Sequence, residues 1–174
     1  VNNTEGLSVT IAASLISRLV DLSMPVGLAA NGDNSYIFRP DTSPEHQGRL
    51  LEALAEVQAT GTTSLERFLY DLRGQMSRFN TLTVITPSTR TEWIPALNSI
   101  RRQGVNVAVV LIDPSDFGGT TNPEFLVDIL FANDIATYTV KKDQVLNEAL
   151  SFPVDHPENH LGQMPETTAQ ETTA

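Results

Sequence analysis

Hydroxyl and carboxylate side chains follow two segments of this sequence that have the composition of β-strands. Thr86 and Ser88 come directly after the strand formers of residues 81–85, and Asp113 follows the apolar run of residues 105–112. In an open α/β sheet, ligands bind in the crevice outside the carboxyl ends of the strands. We therefore expect these side chains to line that edge of a sheet.

The loop that begins at Asp113 has two interpretations. A carboxylate and a hydroxyl at a strand end, here Asp113 and Ser115, are the oxygen ligands that Mg²⁺ prefers. Alternatively, Asp and Ser side chains in a loop accept hydrogen bonds from nearby backbone N–H groups. Because such turns are common, we favour the second interpretation.

Sequence motifs for nucleophilic or phosphate-binding chemistry are missing. There is no glycine-rich dinucleotide fingerprint, no Gly-Lys-Thr phosphate loop and no Gly-x-Ser-x-Gly elbow. His156 and His160 have a spacing that suits metal ligands, but they lie in a proline-rich segment without a third ligand nearby, so we expect a solvated pair. We expect His46 to be exposed. The sequence thus predicts no catalytic residue, no cofactor and no enzymatic activity.

Composition and charge exclude several classes of partner. The formal net charge of −10 argues against nucleic acid and anionic membranes, which need a basic face. The sequence contains no cysteine and no apolar run of the roughly 20 residues that cross a membrane, and it shows no signal-peptide pattern. Val1 is not an initiator methionine, so we expect the chain to be cut from a longer protein.

Apolar periodicity predicts alternating helices and strands. Two helices are expected over residues 5–22 and 44–58. A third should begin at the capping pair Thr63 and Glu66 and continue through Met76. Three more are expected from about Thr91 to Gly104, from Glu124 through Leu130, and after Asp143. Strands are expected over residues 26–30, 36–38, 81–86, 105–112 and 136–140, the first two as a hairpin. Residues 153–174 are acidic and rich in Pro and Thr, which predicts a disordered tail.

This alternation predicts an α/β fold in a three-layer sandwich, with a mostly parallel sheet and one antiparallel edge strand. Residues 105–112 are apolar almost throughout, as is typical of a strand that is covered on both faces. We expect one folded domain over residues 1–152 and the tail over residues 153–174.

Several segments in order resemble the C-terminal half of the DUF58 family, whose conserved region has a von Willebrand factor A-like fold. The resemblance covers roughly residues 5–113. The matching segments are Ile11-Ala-Ala-Ser-Leu15, Val26-Gly-Leu28, Gly48-Arg-Leu-Leu-Glu-Ala-Leu-Ala55, Gly61-Thr-Thr-Ser-Leu65, Leu82-Thr-Val-Ile-Thr86 and Arg101-Arg-Gln-Gly-Val105.

The resemblance implies an adhesion-type domain that holds a divalent ion with an Asp-x-Ser-x-Ser motif, a threonine and an aspartate. The first motif should precede the opening helix, where this chain begins too late to contain it. Thr62 or Thr63 matches the threonine, but Thr86-Pro-Ser88 stands in the place of the aspartate. Since hard cations need carboxylate ligands, we expect no metal site. We call the polar residues expected at the strand ends the candidate ledge, which consists of Thr62, Thr63, Thr86, Ser88 and Asp113.

The family's first strand is also missing, and it would lie between the strands of residues 26–30 and 81–86. We expect these two strands to pair directly here. The sheet would then have five strands in the order 36–38, 26–30, 81–86, 105–112 and 136–140.

The resemblance implies a non-enzymatic protein-interaction domain of a larger, membrane-associated bacterial protein, at the cytoplasmic face, with a MoxR-type AAA+ ATPase as partner. The membrane attachment would come from segments outside this chain, which is expected to be soluble as a fragment. The alternative is a small-molecule-binding or hydrolytic domain that uses the strand-end crevice. Its polar lining would be Thr86, Ser88, Thr89, Asp113 and Asp116.

Overall fold

Helices and strands alternate along the chain in the computed structural model, which describes residues 3–144 and 149–150. The helices are α1 (Thr4–Asp21), α2 (Pro44–Glu56), α3 (Leu65–Arg73), α4 (Ile94–Arg101) and α5 (Glu124–Ala132). The strands are β1 (Val26–Asn31), β2 (Ser35–Asp41), β3 (Thr81–Thr86), β4 (Asn106–Ile112) and β5 (Ala136–Val140). The predicted helix after Asp143 and the predicted tail lie largely outside the described residues.

β3, β4 and β5 form a parallel sheet with β4 in the centre. Thr81 pairs with Asn106 and Thr86 with Leu111, while Ala108 pairs with Ala136. Alternate residues of β4 point to opposite faces. Val109 and Leu111 pack with α3, α4 and α5 on one face, whereas Val110 and Ile112 pack with α1 on the other. The α/β class is therefore confirmed, and helices cover this sheet on both faces.

β1 and β2 form a separate antiparallel hairpin, as the Asn-Gly turn predicted. Its turn packs tightly against the chain that follows α2. A Cβ on Gly32 would lie 2.4 Å from the carbonyl oxygen of Gln58, and a Cβ on Gly61 would lie 1.9 Å from that of Gly32. Only glycine permits these close backbone approaches.

The predicted pairing of β1 with β3 is wrong. The described strands form two sheets, β1–β2 and β3–β4–β5, instead of one sheet of five strands. The physical reason lies in α1, which contacts β1, β3 and β4. Leu7 and Ile11 of this helix pack with the parallel sheet, while Ile16 packs with Val26 of the hairpin. Because one helix packs on both sheets with different residues, it holds them side by side without hydrogen bonds between them.

His46 is buried, contrary to the expectation that it would be exposed. Its side chain retains 5% of its accessible surface, and its Nε2 donates a hydrogen bond of 2.8 Å to the carbonyl oxygen of Val26. The ring also lies edge-on to Phe38, with 6.4 Å between the ring centroids. His46 is one turn before Leu50 on the buried stripe of α2, so helical spacing alone pointed to burial.

The capping box predicted for Thr63 and Glu66 is also wrong. α3 begins one residue later than that pair requires, and Ser64 is the N-cap, with its hydroxyl accepting from the N–H of Arg67 at 3.2 Å. The third helical position is then Arg67, which cannot accept the reciprocal hydrogen bond from the cap. The carbonyl oxygen of Thr63 instead accepts a hydrogen bond from the Asn31 side chain at 2.9 Å.

We predict that His46→Ala lowers the free energy of unfolding by about 1–3 kcal/mol, because it leaves the carbonyl of Val26 without its buried donor. Urea denaturation followed by circular dichroism measures the change. Glu52→Ala, at an exposed position of the same helix, is the control and should stay within about 0.5 kcal/mol of the original protein. Equal stabilities of the two variants would show that the hydrogen bond of His46 does not stabilise the fold.

Candidate functional site

The carboxyl edge of the parallel sheet brings together the polar residues that follow β3 and β4. Thr86 pairs with Leu111 in the parallel register, so Thr86 and Asp113 leave the sheet at the same edge. Both side chains are buried, Thr86 with 6% and Asp113 with 7% of their surface exposed. Whether this edge can do chemistry depends on which of its polar atoms remain available.

The hydroxyl group of Thr86 is engaged by its own loop. Its Oγ1 accepts a hydrogen bond of 3.1 Å from the N–H of Ser88. Further along, Glu92 forms an exposed ion pair with Arg90, with 2.7 Å between Oε1 and Nη2. The hydrogen bonds from Arg90 lower the pKa of the Glu92 carboxyl. Glu92, the acidic residue nearest to Thr86 in sequence, is thus paired with Arg90.

Asp113 holds the loop that follows β4. Its Oδ1 accepts hydrogen bonds from the N–H of Ser115 at 2.9 Å and from the hydroxyl of Ser115 at 2.6 Å. Its own N–H donates to the carbonyl oxygen of Val140 at 2.9 Å, which ties the loop to β5. Asp116 acts similarly, since its Oδ2 accepts from the N–H of Lys142 at 3.1 Å. The backbone-capping interpretation therefore accounts for both aspartates.

Thr62 and Thr63 are exposed and lie in the loop before α3. The carbonyl oxygen of Thr63 accepts from Nδ2 of Asn31, which is the last residue of β1. The Oδ1 atom of Asn31 is buried and has no hydrogen-bond partner among the described residues. This loop is thus joined to the hairpin, while Thr86 and Asp113 belong to the parallel sheet.

A crevice of about 830 Å³ opens beside Asp113, between the end of β5 and the start of α5. Of the five residues of the candidate ledge, all of which the structure describes, Asp113 alone lines it. The other polar lining residues are Ser115, Thr120, Thr121, Asn122, Glu124, Asp128, Thr139 and Lys141. Although Asp113, Glu124 and Asp128 share this crevice, residues 3–144 and 149–150 contain no group of three His, Cys, Asp or Glu side chains arranged to hold a metal ion.

The opposite edge of the sheet has a surface that none of the predicted site residues reaches. We call it the amino-edge surface and define it by Arg73, Arg78, Phe79, Arg101 and Arg102. Phe79 is 84% exposed, and the Arg78 guanidinium lies 5.0 Å from the centroid of its ring. A Cβ on Gly104 would lie 3.0 Å from Cβ of Arg78, so the Phe79 loop adjoins the end of α4.

Two other arginines of the amino-edge surface, Arg73 and Arg101, are fixed to neighbouring elements. Arg73 donates to the hydroxyl of Ser99 at 2.7 Å. Arg101 donates to the carbonyl oxygen of Asn133 and lies 3.6 Å from the Asp134 carboxylate. Arg101 and Arg102 line a shallow depression of about 1050 Å³. The pair Arg78-Phe79 lies in the loop before β3, and the pair Arg101-Arg102 ends α4, before β4. These two pairs were the signal in the sequence that could have located this surface.

We predict that Asp113→Ala lowers the free energy of unfolding by about 1–3 kcal/mol, because it removes the acceptor of two Ser115 donors in a largely buried site. Thermal or urea unfolding measures the loss. Thr121→Ala, which shortens an exposed side chain at the same crevice, is the control and should stay within about 0.5 kcal/mol of the original protein. An equal loss for the two variants would contradict the structural role of Asp113.

Comparison with known proteins adds no relative to this description. No family model, curated protein or solved structure matches the chain. Among the described residues, the structure contains no helix with the length and apolar character needed to cross a membrane. The function must therefore be argued from the chemistry of the two sheet edges.

Proposed function

We propose that this chain is a non-enzymatic protein-interaction domain and that the amino-edge surface binds its partner. One observation carries the proposal: Phe79 exposes 84% of its surface while Arg78 stacks on the ring. Aromatic and arginine side chains are enriched among the residues that dominate binding energy at protein interfaces. Phe79 and Arg78 together combine a large apolar area with charged hydrogen-bond donors. An exposed phenylalanine without such a role would only lower the solubility of the protein.

The charge distribution indicates an acidic partner segment. The whole chain carries a formal charge of −10 with 11 lysines and arginines, yet four of these cations define one surface. Arg101 has the exposed carboxylate of Asp134 nearby, but Arg78 faces an aromatic ring and Arg73 a hydroxyl group. Complementary charge raises the rate of association and selects the partner.

The carboxyl edge supports a role without catalysis. A serine or threonine nucleophile needs a base that removes its proton. Ser115 donates its hydroxyl hydrogen to Asp113, and the same carboxylate oxygen also accepts from the Ser115 N–H. No histidine lines the crevice in the part of the chain that the structure describes. These hydrogen bonds stabilise the loop after β4, which supports a structural role for the polar groups at this edge.

The order of elements supports the finer proposal of a von Willebrand factor A-like domain. A hairpin follows the first helix, and three parallel strands alternate with helices after it. We further propose, by analogy with the family that the sequence resembles, a MoxR-type AAA+ ATPase as the partner. The domain would belong to a larger bacterial protein whose other segments attach it to the membrane.

We predict that Phe79→Ala weakens binding to the purified MoxR-type ATPase of the same organism by about 10- to 30-fold, as truncation of a dominant interface residue does. Biolayer interferometry measures the affinity. Arg78→Ala should weaken binding as well and should reduce its dependence on salt concentration.

Phe125→Ala is the matched control for this experiment. Phe125 is also highly exposed, at 69%, but it lies in the first turn of α5, away from the amino edge. It should leave the affinity unchanged. The proposed surface is refuted if Phe125→Ala and Phe79→Ala weaken binding equally, and the proposed partner is refuted if the original protein does not bind the ATPase.

A second candidate function is the binding of a small polar ligand in the crevice beside Asp113. The observation that favours it is the size and lining of this crevice, which combines carboxylates and hydroxyls with Lys141. Sites for small molecules commonly have volumes of about 300–1000 Å³. The hydrogen bonds that already occupy Asp113 make this the weaker candidate.

Thermal unfolding with millimolar Mg²⁺, Mn²⁺ or ATP separates the two candidates. A ligand at a hundred times its Kd adds about 2.7 kcal/mol of stability, and each kcal/mol raises the Tm of a domain of this size by about 2–4 °C. We predict no such rise. A rise that Asp113→Asn abolishes would instead establish a ligand site in the crevice.

A further inference from the structure

The strand β5 has a free edge at the side of the parallel sheet. β5 is hydrogen-bonded to β4 on one side, and its other side pairs with no strand among the described residues. We call this outer side of Ala136–Val140 the β5 edge. Free edges are normally protected against further pairing by charged residues or proline. β2, in the hairpin, has this protection in Arg39 and Pro40, whereas β5 (Ala-Thr-Tyr-Thr-Val) contains neither.

The hydrogen bonds of β5 determine which of its backbone groups point outward. The carbonyl oxygen of Val140 accepts a hydrogen bond of 2.9 Å from the N–H of Asp113, which follows β4. Val140 therefore directs its N–H and C=O towards β4. Because successive residues of a strand direct these groups to opposite sides, Thr137 and Thr139 direct theirs outward.

The outward backbone groups of the β5 edge lack partners. In the part of the chain that the structure describes, nothing is hydrogen-bonded to the N–H or C=O of Thr137 and Thr139 on this side. Thr137 is buried and Thr139 is half-buried, and backbone groups in such surroundings normally have partners. Ala136 is exposed and Tyr138 is half-buried, so another strand can reach this edge.

The sequence of β5 is almost the same in both directions. Thr137 and Thr139 lie on either side of Tyr138, with Ala136 and Val140 beyond them. Two β5 strands that pair antiparallel around Tyr138 therefore place Thr137 of one copy opposite Thr139 of the other. Both residues direct their backbone groups outward, so each such pair exchanges two N–H···O=C hydrogen bonds.

We propose that two copies of this chain form a symmetric dimer in which their β5 edges pair antiparallel, centred on Tyr138. The two parallel sheets then become one continuous sheet with three strands from each copy. A two-fold axis passes between the Tyr138 residues, as a contact between identical surfaces requires. Threonine pairs and aromatic pairs across such a ladder stabilise it further.

Backbone groups at the ends of β5 select this register. The nearest registers that keep outward residues opposite each other would pair Thr139 with Ile135, or Thr137 with Lys141. The N–H of Ile135 already donates to a carbonyl oxygen of α5 at 3.0 Å, and that of Lys141 donates to the Gln144 side chain at 3.1 Å. The register centred on the middle residue of β5 pairs only residues whose outward groups are available.

The charges at the two ends of β5 are complementary in this dimer. Asp134 precedes the strand, whereas Lys141 and Lys142 follow it. The Asp134 side chain is fully exposed although it lies 3.6 Å from Arg101 of its own copy. In the antiparallel arrangement the start of one strand lies beside the end of the other, so each Asp134 lies near both lysines of the second copy. Opposite charges across paired strands stabilise the pairing.

The dimer leaves the proposed partner site free. Arg78 and Phe79 precede β3, and β4 separates that strand from β5. The combined sheet therefore carries two amino-edge surfaces, one on each outer side. Dimer formation and binding of an acidic partner are thus independent of each other, and either can fail without the other.

Disulfide capture tests the pairing and its register, because the chain has no cysteine of its own. Tyr138→Cys places a thiol beside its own copy at the two-fold axis, where the Cα atoms of such a pair lie about 4.5 Å apart, within the reach of a disulfide. Under mild oxidation with oxidised glutathione we expect most of this variant to run as a linked dimer on a non-reducing gel.

Ala136→Cys is the matched control for disulfide capture. Residue 136 is exposed and lies on the same face of β5, but in the proposed register it opposes Val140. Its own copy is then about 14 Å away, four residues along the strand, which is too far for a disulfide. Equal linkage of the two variants, or no linkage of Tyr138→Cys, would overturn the proposal.

Size-exclusion chromatography with light scattering tests the dimer without new cysteines. The original chain should reach twice the mass of one chain as its concentration rises. Thr139→Pro removes an outward N–H at a position where an edge strand tolerates proline. It should raise the Kd of the dimer by about tenfold or more, because the symmetric dimer loses two hydrogen bonds.

Thr139→Val keeps the backbone N–H and nearly the same volume, so it is the matched control and should dimerise like the original chain. Circular dichroism checks that both variants have the secondary structure of the original chain. An original chain that stays monomeric at every concentration would overturn the proposal. Equal dimerisation of the Pro and Val variants would also overturn it, because the contact would then not run through the β5 edge.

Discussion

The packing of α1 is the constraint on which the rest of the structure depends. Its first half contributes Leu7 and Ile11 to the core above the parallel sheet, and its second half contributes Ile16 to the core of the hairpin and α2. No backbone hydrogen bond joins the two sheets in the described residues, so their relative position rests on side-chain packing. His46 reinforces the hairpin side, since it ties α2 to the first residue of β1.

Most helices and strands were predictable from the sequence because local patterns of apolar and turn-forming residues determine them. The two-sided apolar character of β4 and the Asn-Gly turn after β1 both gave the correct local structure. The relation of the hairpin to the parallel sheet was not predictable in this way, because two edge strands of similar composition carry no signal that tells direct pairing from separation. The burial of His46 follows from its position four residues before Leu50, on the stripe that α2 buries, and a polar residue type does not reveal it.

The positions of Thr86 and Asp113 and the capping role of Asp113 were predictable from the sequence, whereas the position of the Thr63 loop was not. The rule that polar groups gather at the carboxyl ends of parallel strands placed Thr86 and Asp113 correctly at one edge. Which hydrogen bonds those groups make depends on loop conformation, and the loop after β4 turns Ser115 back onto Asp113. The sequence favoured backbone capping by Asp113, in agreement with its hydrogen bond from the N–H of Ser115. It could not show that the Thr63 loop would be bound to the hairpin through Asn31.

The arginines at the amino edge need a structural explanation before a functional one. Arg73 and Arg101 lie in the last turns of α3 and α4, where a cation is stabilised by the carbonyl groups that end a helix. That role accounts for these two residues without any partner. It does not account for Arg78 and Phe79, which lie in the loop before β3 and place an aromatic ring in solvent. The case for binding therefore rests on Arg78 and Phe79. The arginines at the helix ends add positive electrostatic potential around this pair.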